Sequence, residues 1–221
     1  MSVEYGGLSF ERLGHASVRI ETGDGTVVYI DPWTEVLDDE PGDGDVVFVT
    51  HDDFDHYDPE GVAAVAGPDA TVAVYEAVET GDLGHEVVDL PYEGELTVAG
   101  IDVRTVPAYN DPDGDHVDDD GNPFHADGEV VGLLLDLGGT TVFFPSDTDF
   151  RPHHESVRAD VFIPPIGGHY TMDRHEAAAF ARSVAPELVL PVHYDTFEAI
   201  ETDASAFVED LAADGIRVEL F

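Results

Sequence analysis

The chain has 221 residues and carries 49 Asp and Glu against 8 Lys and Arg, a formal net charge of −41. All the basic residues are arginine and cysteine is absent, which excludes disulfides, zinc fingers, thiolate metal sites and cysteine nucleophiles. A surface this negative repels phosphate backbones and anionic lipids, so neither nucleic acid nor a membrane is an expected partner.

The hydrophobic share of 43% suffices for a sizeable core, and no Pro/Gly linker separates two compositional regimes, so one domain over 1–221 is expected. The acidity is spread along the whole chain, as on a solvating surface adapted to high salt, where counter-ions screen self-repulsion. A halophilic, cytoplasmic protein is the expectation, since no signal peptide and no apolar stretch of membrane-spanning length is visible.

Short β-branched runs separated by Gly, Asp and Pro predict strands at 16–20, 26–30, 46–50, 71–75, 95–98 and 101–106. Asp58 as N-cap with Pro59 at the first helical position opens a short helix through Val62, Ala63 and Val65. Strands follow at 130–137, 140–144, 161–163 and 188–192. Asp173 and Glu176 resemble a capping box before a helix whose one face carries Ala177, Phe180, Ala181 and Val184. A helix over 203–213 and a strand over 216–220 complete a pattern of strands followed by helices in both halves, which fits an α/β sandwich with two sheets inside. The irregular stretch 109–129, rich in Asp, Gly and Pro, is too long for an ordinary connection and is expected to be functional.

The chemistry concentrates at Thr50-His51-Asp52-Asp53-Phe54-Asp55-His56, directly after the apolar run Val46-Val47-Phe48-Val49. If the backbone stays extended, alternate residues His51, Asp53 and Asp55 share one side, and His56 serves a second metal. Asp-rich turns also arise by chance in so acidic a chain. However, Asp147 and His193 each follow another apolar run, and reactive residues of layered α/β folds collect at strand carboxyl ends. Imidazole and carboxylate donors without sulfur suit Zn, Mn or Fe, and a carboxylate can bridge two cations.

Leu13-Gly14-His15-Ala16-Ser17, Asp31-Pro32-Trp33, Thr50 to His56, Pro107-Ala108-Tyr109-Asn110, Phe124-His125, Ser146-Asp147-Thr148-Asp149, Gly167-Gly168-His169-Tyr170 and Pro191-Val192-His193-Tyr194 together resemble the metallo-β-lactamase superfamily. The similarity is strongest to its small metal-dependent hydrolases akin to L-ascorbate-6-phosphate lactonase. That resemblance implies a four-layer αββα sandwich holding two divalent metal ions. His51 and Asp53 would ligate the first metal, Asp55 and His56 the second, with Asp147 as bridge and His193 as last ligand. The chain departs from the His-x-His-x-Asp-His signature at Asp53, where an anion replaces a neutral donor and favours harder metals. Asn110 stands where relatives often place a third histidine of the first metal, so His125 is expected to take that part, with Asn110 behind it or contacting substrate.

The implied reaction is hydrolysis of a small-molecule lactone or other carboxylic ester, with a small phosphodiester second, by a metal-activated hydroxide. Asp55 would orient the nucleophile or take its proton. Tyr109, Asn110, His169, Tyr170 and Tyr194 would contact substrate, His169 also as a proton donor. Because Asp53 and Asn110 break the pattern, a non-enzymatic metal- or ligand-binding module is the alternative. A homo-oligomer is left open. For His15 a buried core role and a place behind the metals are equally weighted; His85, His116, His153, His154 and His175 read as mostly solvated. Ser146 lacks the glycines of a nucleophile elbow, and without lysine no P-loop exists.

Overall fold

The computed structural model describes residues 2–81 and 83–221, so Met1 and Asp82 lie outside it. Two seven-stranded sheets are built alike. In the first, β1 (Ser2–Tyr5), β2 (Leu8–Gly14), β3 (Ser17–Glu21) and β4 (Val27–Ile30) run antiparallel. To these, β5 (Gly44–Val49), β6 (Ala66–Tyr75) and β7 (Glu86–Leu90) add in parallel. In the second, β8 (Gly94–Val98), β9 (Ile101–Ala108), β10 (Val130–Leu137) and β11 (Thr140–Phe144) are antiparallel. The short β12 (Val161–Phe162), β13 (Leu188–Val189) and β14 (Arg217–Val218) follow in parallel. The helices are α1 (Pro59–Val65), α2 (Arg174–Val184) and α3 (Ala204–Ala212). No helix among the described residues is long and apolar enough to cross a membrane.

Strand alternation sorts the apolar side chains into two layers. Phe10, Val18, Ile20, Val28 and Phe48 of the first sheet meet Leu133, Leu135, Val142, Phe144 and Ile163 of the second in the core between the sheets. The other face of the second sheet, through Phe143, Phe162 and Val189, packs under Phe180 and Val184 of α2 and Phe207 and Leu211 of α3. The outer face of the first sheet carries α1, with Val62 and Val65 buried. The architecture is thus the expected αββα sandwich, thinly covered on one side.

Helix starts follow their side-chain acceptors. Asp58 accepts from the Glu60 amide, and Asp173 from those of His175 and Glu176. The capping box is only half made, because the Glu176 carboxylate turns away to accept from the Phe150 amide at 2.9 Å. The expectation of mostly solvated histidines is corrected at His154, which is 1% exposed. Its ring stacks on Phe180 at 4.9 Å and its Nε2 lies 2.9 Å from the Pro107 carbonyl. Of the five histidines in that group only His175 is exposed; His116 is half-buried with Nδ1 2.6 Å from Asp149 Oδ1.

Candidate metal centre

The carboxyl ends of β4, β5, β9, β11 and β13 converge at one edge of the sandwich, each delivering a polar side chain within a few residues. These are Asp31, Thr50 and His51, Asn110, Ser146 and Asp147, and His193. A register shift between Arg12 and Gly14 in the β2/β3 pairing adds His15 at the same edge. Six non-glycine residues here, His15, Asp31, Ser146, His169, His193 and Asp195, have φ between 46° and 65°. Backbone strain of this kind costs about 1–3 kcal/mol per residue and persists only where surrounding contacts hold it. In this edge it serves to aim side chains.

The backbone does not stay extended through the motif after β5. The amides of His56 and Tyr57 both donate to the Asp53 carbonyl, at 2.9 and 2.8 Å, so the chain turns at Asp53. His51 and Asp53 therefore face one side and Asp55 and His56 another, which corrects the common side expected for His51, Asp53 and Asp55.

Hydrogen bonds at the back of the rings fix which nitrogen is free. Asp31, fully buried, accepts from the Thr50 amide at 2.9 Å, the Thr50 hydroxyl at 2.7 Å and His56 Nδ1 at 2.8 Å. Having spent its only proton on Asp31, the Thr50 hydroxyl can only accept from its other neighbours, Ser146 Oγ at 2.7 Å and His51 Nδ1 at 3.0 Å. Asn110 donates through Nδ2 to Asp149 Oδ1 and the Tyr170 carbonyl, which leaves Oδ1 to accept from the His125 amide at 2.8 Å and from Nδ1 at 3.2 Å. His51, His56 and His125 thus each carry their proton on Nδ1 and present a bare Nε2 lone pair. Anchoring of this kind is what orients histidine ligands in metal sites.

Those lone pairs gather on carboxylates. Around the first position, Asp53 Oδ2 lies 3.6 Å from His51 Nε2 and 3.2 Å from His125 Nε2, and Asp147 Oδ2 lies 3.5 Å from His125 Nε2. Around the second, Asp147 Oδ2 lies 3.4 Å from His56 Nε2 and 3.1 Å from His193 Nε2. His15 Nε2 lies 3.0 Å from Asp55 Oδ2, in one donor group with His56 and His193. Donors about 2.0–2.2 Å from a shared cation sit roughly 3 to 3.6 Å from each other in tetrahedral or octahedral geometry. The buried Nε2 atoms of His15, His51 and His56 have no well-formed hydrogen bond, and a cation would complete them. The residues present fit the binding of divalent metal, with donor groups gathered on both sides of Asp147.

Charge follows the same pattern. The His125 and His51 imidazoles beside it hold the Asp53 carboxyl far below the usual range. Burial alone would raise Asp147 and Asp55, but the imidazoles around each win: His193 and His56 hold Asp147 well below the usual range, and His15 and His56 lower Asp55. Burial lowers His51, and lowers His15 to about 4, which keeps both rings neutral. Burial would also lower His56 and His125, but the facing carboxylates raise both. Cations would take the place of those protons.

A family model described as a β-lactamase superfamily domain matches residues 9–193. A UPF0173 metal-dependent hydrolase of Methanosphaerula palustris is 35% identical over 202 residues, covering 89% of this chain and 88% of that protein. The chain belongs to this family of metal-dependent hydrolases. Its relative from Methanopyrus kandleri is 32% identical over 220 residues, covering 94% of this chain and 93% of its own length. Among solved structures, the Igni18 metallo hydrolase of Ignicoccus hospitalis superposes with a TM-score of 0.78 at 24% identity, over 97% of this chain and 94% of the other, a likeness of fold.

In this hydrolase the metal candidates His51, Asp53, Asp55, His56, His125, Asp147 and His193 all come together, whereas the substrate candidates scatter. A cavity of ≈440 Å³ opens over the donors, walled by Phe54, Phe124, Tyr170 and Phe197. Of the expected substrate residues only Tyr170 lines it. Asn110 is 1% exposed and spends its polar atoms holding His125, Asp149 and the Tyr170 carbonyl. Tyr109 faces a different surface cleft of ≈810 Å³, stacked on His153, and that cleft contains none of the metal donors. Tyr194 is buried beneath the Arg12 guanidinium, 4.0 Å from its ring. His169 is exposed beyond Phe124, off the cavity wall, so it is not placed as a proton donor.

Four contributors were not picked out by sequence reasoning: His15, reading as either core or accessory, and Asp31, Thr50 and Ser146, whose roles lie in hydrogen bonds between distant strands. The Gly-His and Asp-Pro pairs near the N-terminus were the available signal for His15 and Asp31. For the Phe54 and Phe197 wall there was none.

Proposed function

We propose that this metal-dependent hydrolase binds two divalent cations, Zn, Mn or Fe, and cleaves a small-molecule lactone or other carboxylic ester. The observation carrying the reading is the convergence of bare Nε2 and carboxylate lone pairs, at mutual distances suited to shared cations, on both sides of Asp147. His51, Asp53 and His125 would hold the first cation, and Asp55, His56 and His193 the second, with Asp147 common to both and His15 as an additional donor beside Asp55. When bound, such cations supply Lewis acidity and a water acidic enough to lose its proton near neutral pH.

The chain's own groups do the rest. Asp31, through His56 Nδ1, and Thr50, through His51 Nδ1, hold the imidazoles in the tautomer that keeps Nε2 free. The Asp55 carboxylate lines the cavity and is held below the usual range, so it stays ionised, ready to orient the attacking water or take its proton. The strained backbones at His15, Asp31 and His193 keep these groups in place before substrate arrives, which removes reorganisation from the reaction barrier.

The test is elemental analysis of protein reconstituted separately with Zn, Mn and Fe in high salt, alongside turnover of a lactone, ester, thioester and phosphodiester panel. Close to two equivalents with lactone or ester turnover is expected. Less than half an equivalent with every metal would remove the dinuclear reading, and turnover confined to the phosphodiester would remove the substrate assignment.

A further inference from the structure

The mouth of the cavity is aromatic on both sides. Phe54, at the turn of the metal-binding motif, is 68% exposed, the largest value among the exposed large hydrophobic residues. It sits edge-on to Trp33 at 5.7 Å and 6.5 Å from Phe197, while Trp33 and Phe197 are 5.9 Å apart. Across the opening Phe124 packs edge-on to Tyr170 at 5.0 Å. Apolar side chains ringing a polar floor are the usual form of a small-molecule site.

Cations are missing from this mouth. No lysine exists in the chain, and none of the arginines lines the cavity. The nearest in sequence to a cluster residue, Arg12, donates to the carbonyls of His15 and Tyr194. Arg151 pairs with Asp111, and Arg19, Arg174 and Arg182 pair with Asp43, Asp210 and Asp214. An anionic substituent held at the mouth, away from the metal donors, would lose water against aromatic faces and find no basic side chain in return. Because that loss is one of desolvation rather than of long-range repulsion, molar salt does not cancel it.

We infer that the substrate of this site is an uncharged ester or lactone bearing a planar apolar group, gripped between the Phe54 and Phe197 wall, backed by the buried Trp33, and the Phe124 and Tyr170 wall, and that phosphorylated or carboxylated counterparts are rejected. The inference rests on the hydrolase reading above and adds the substrate's chemistry to it.

Trp33 is the chain's single tryptophan and packs directly behind the wall, against Phe54 and Phe197, so its fluorescence reports occupancy without turnover. Two measurements on the metal-reconstituted protein test the proposal. In the first, phenylacetamide is titrated against Trp33 fluorescence, with acetamide as the control. A saturable change with phenylacetamide, at least tenfold weaker with acetamide and at least threefold weaker in Phe54→Ala, is expected. No saturable change, or one indifferent to the phenyl group, overturns the proposal whatever the turnover.

In the second, kcat/KM is compared for γ-butyrolactone, its γ-phenyl derivative and the γ-(4-carboxyphenyl) derivative, whose charge is remote from the reacting carbonyl. The phenyl group should raise kcat/KM roughly 10- to 100-fold, the yield of burying one aromatic ring, and the carboxylate should lower it again at least tenfold. Equal turnover of the three, or preference for the carboxylate, overturns the proposal and leaves the hydrolase reading standing. A Trp33 response without turnover of any lactone or ester does the reverse.

Discussion

Replacing Asp31 by asparagine should weaken the second metal position about 10- to 100-fold while leaving the fold intact. Asp31 Oδ2 accepts from both His56 Nδ1 and the Thr50 hydroxyl, and Oδ1 from the Thr50 amide. Asparagine can keep the bond to the Thr50 amide only by turning its NH2 toward His56 Nδ1, where two donors would meet. The imidazole then either loses its anchor or shifts its proton to Nε2, the atom that faces Asp147 at 3.4 Å. Either outcome spoils a ligand, and a 10- to 100-fold loss corresponds to about 1.4 to 2.7 kcal/mol. The backbone contributes nothing to the effect, since Asp31 has φ 46° and asparagine tolerates that region as well as aspartate does. In the metal-free protein the lost charge-assisted bonds should cost about 1 to 3 kcal/mol, a fall in Tm of roughly 2 to 12 °C for a chain of this size. Chelator competition followed by elemental analysis, in a His125→Ala background that empties the first position, reads the second position alone. Affinity within threefold of the Asp31 protein would refute the tautomer argument.

His125→Ala should empty the first position and leave the second, built from Asp55, His56 and His193, filled; elemental analysis showing both lost together, or both kept, would count against the assignment. Stability should rise with salt, because −41 charges on one chain repel and the Debye length falls to about 3 Å at 1 M; circular dichroism melts across a KCl series test this, and an unchanged Tm up to about 2 M would remove the halophilic expectation. His154 supplies an acid-sensitive element remote from the metals. Burial lowers its imidazole to about 4 from an ordinary 6.5, so between those values the unfolded chain binds a proton that the folded one does not, and stability falls as pH drops from about 6.5 to about 4. The full effect is about 3 kcal/mol. Urea unfolding at pH 7 and pH 4.5 should show His154→Gln less stable at the higher pH and relieved of part of the acid loss; an identical pH slope in the two proteins would sink the account.

Much of this molecule was legible from local pattern. Long β-branched runs such as 130–137 and 140–144 became β10 and β11 over the same residues, because alternation and burial reinforce each other within a few residues. The edge strands β1 and β7, and β2 beside β1, were not anticipated. Their sequences, such as Ser2-Val3-Glu4-Tyr5 and Glu86-Val87-Val88-Asp89-Leu90, mix acids into a half-exposed face and owe their form to a neighbouring strand. The runs 161–163, 188–192 and 216–220 shortened to two-residue pairings, since the chain beyond each turns to place loops at the site edge.

For the candidate site, residue type at the ends of apolar runs was enough to mark His51, Asp53, Asp55, His56, Asp147 and His193, as the chemistry of a metal donor is a property of the side chain itself. Which donors sit together was decided by the turn at Asp53, which divides a motif that reads as one row. Which nitrogen of each ring is free was decided by Asp31 and Asn110, 25 and 15 positions from the rings they anchor, and by Thr50, the neighbour of His51, whose hydroxyl proton is taken by Asp31. The aromatic mouth, assembled from Phe54, Phe124, Tyr170 and Phe197, and the second role of His15 beside Asp55 likewise exist only in three dimensions. Contacts between residues so distant in sequence depend on how two sheets pack, and side-chain periodicity along one strand carries no information about its neighbour's ends.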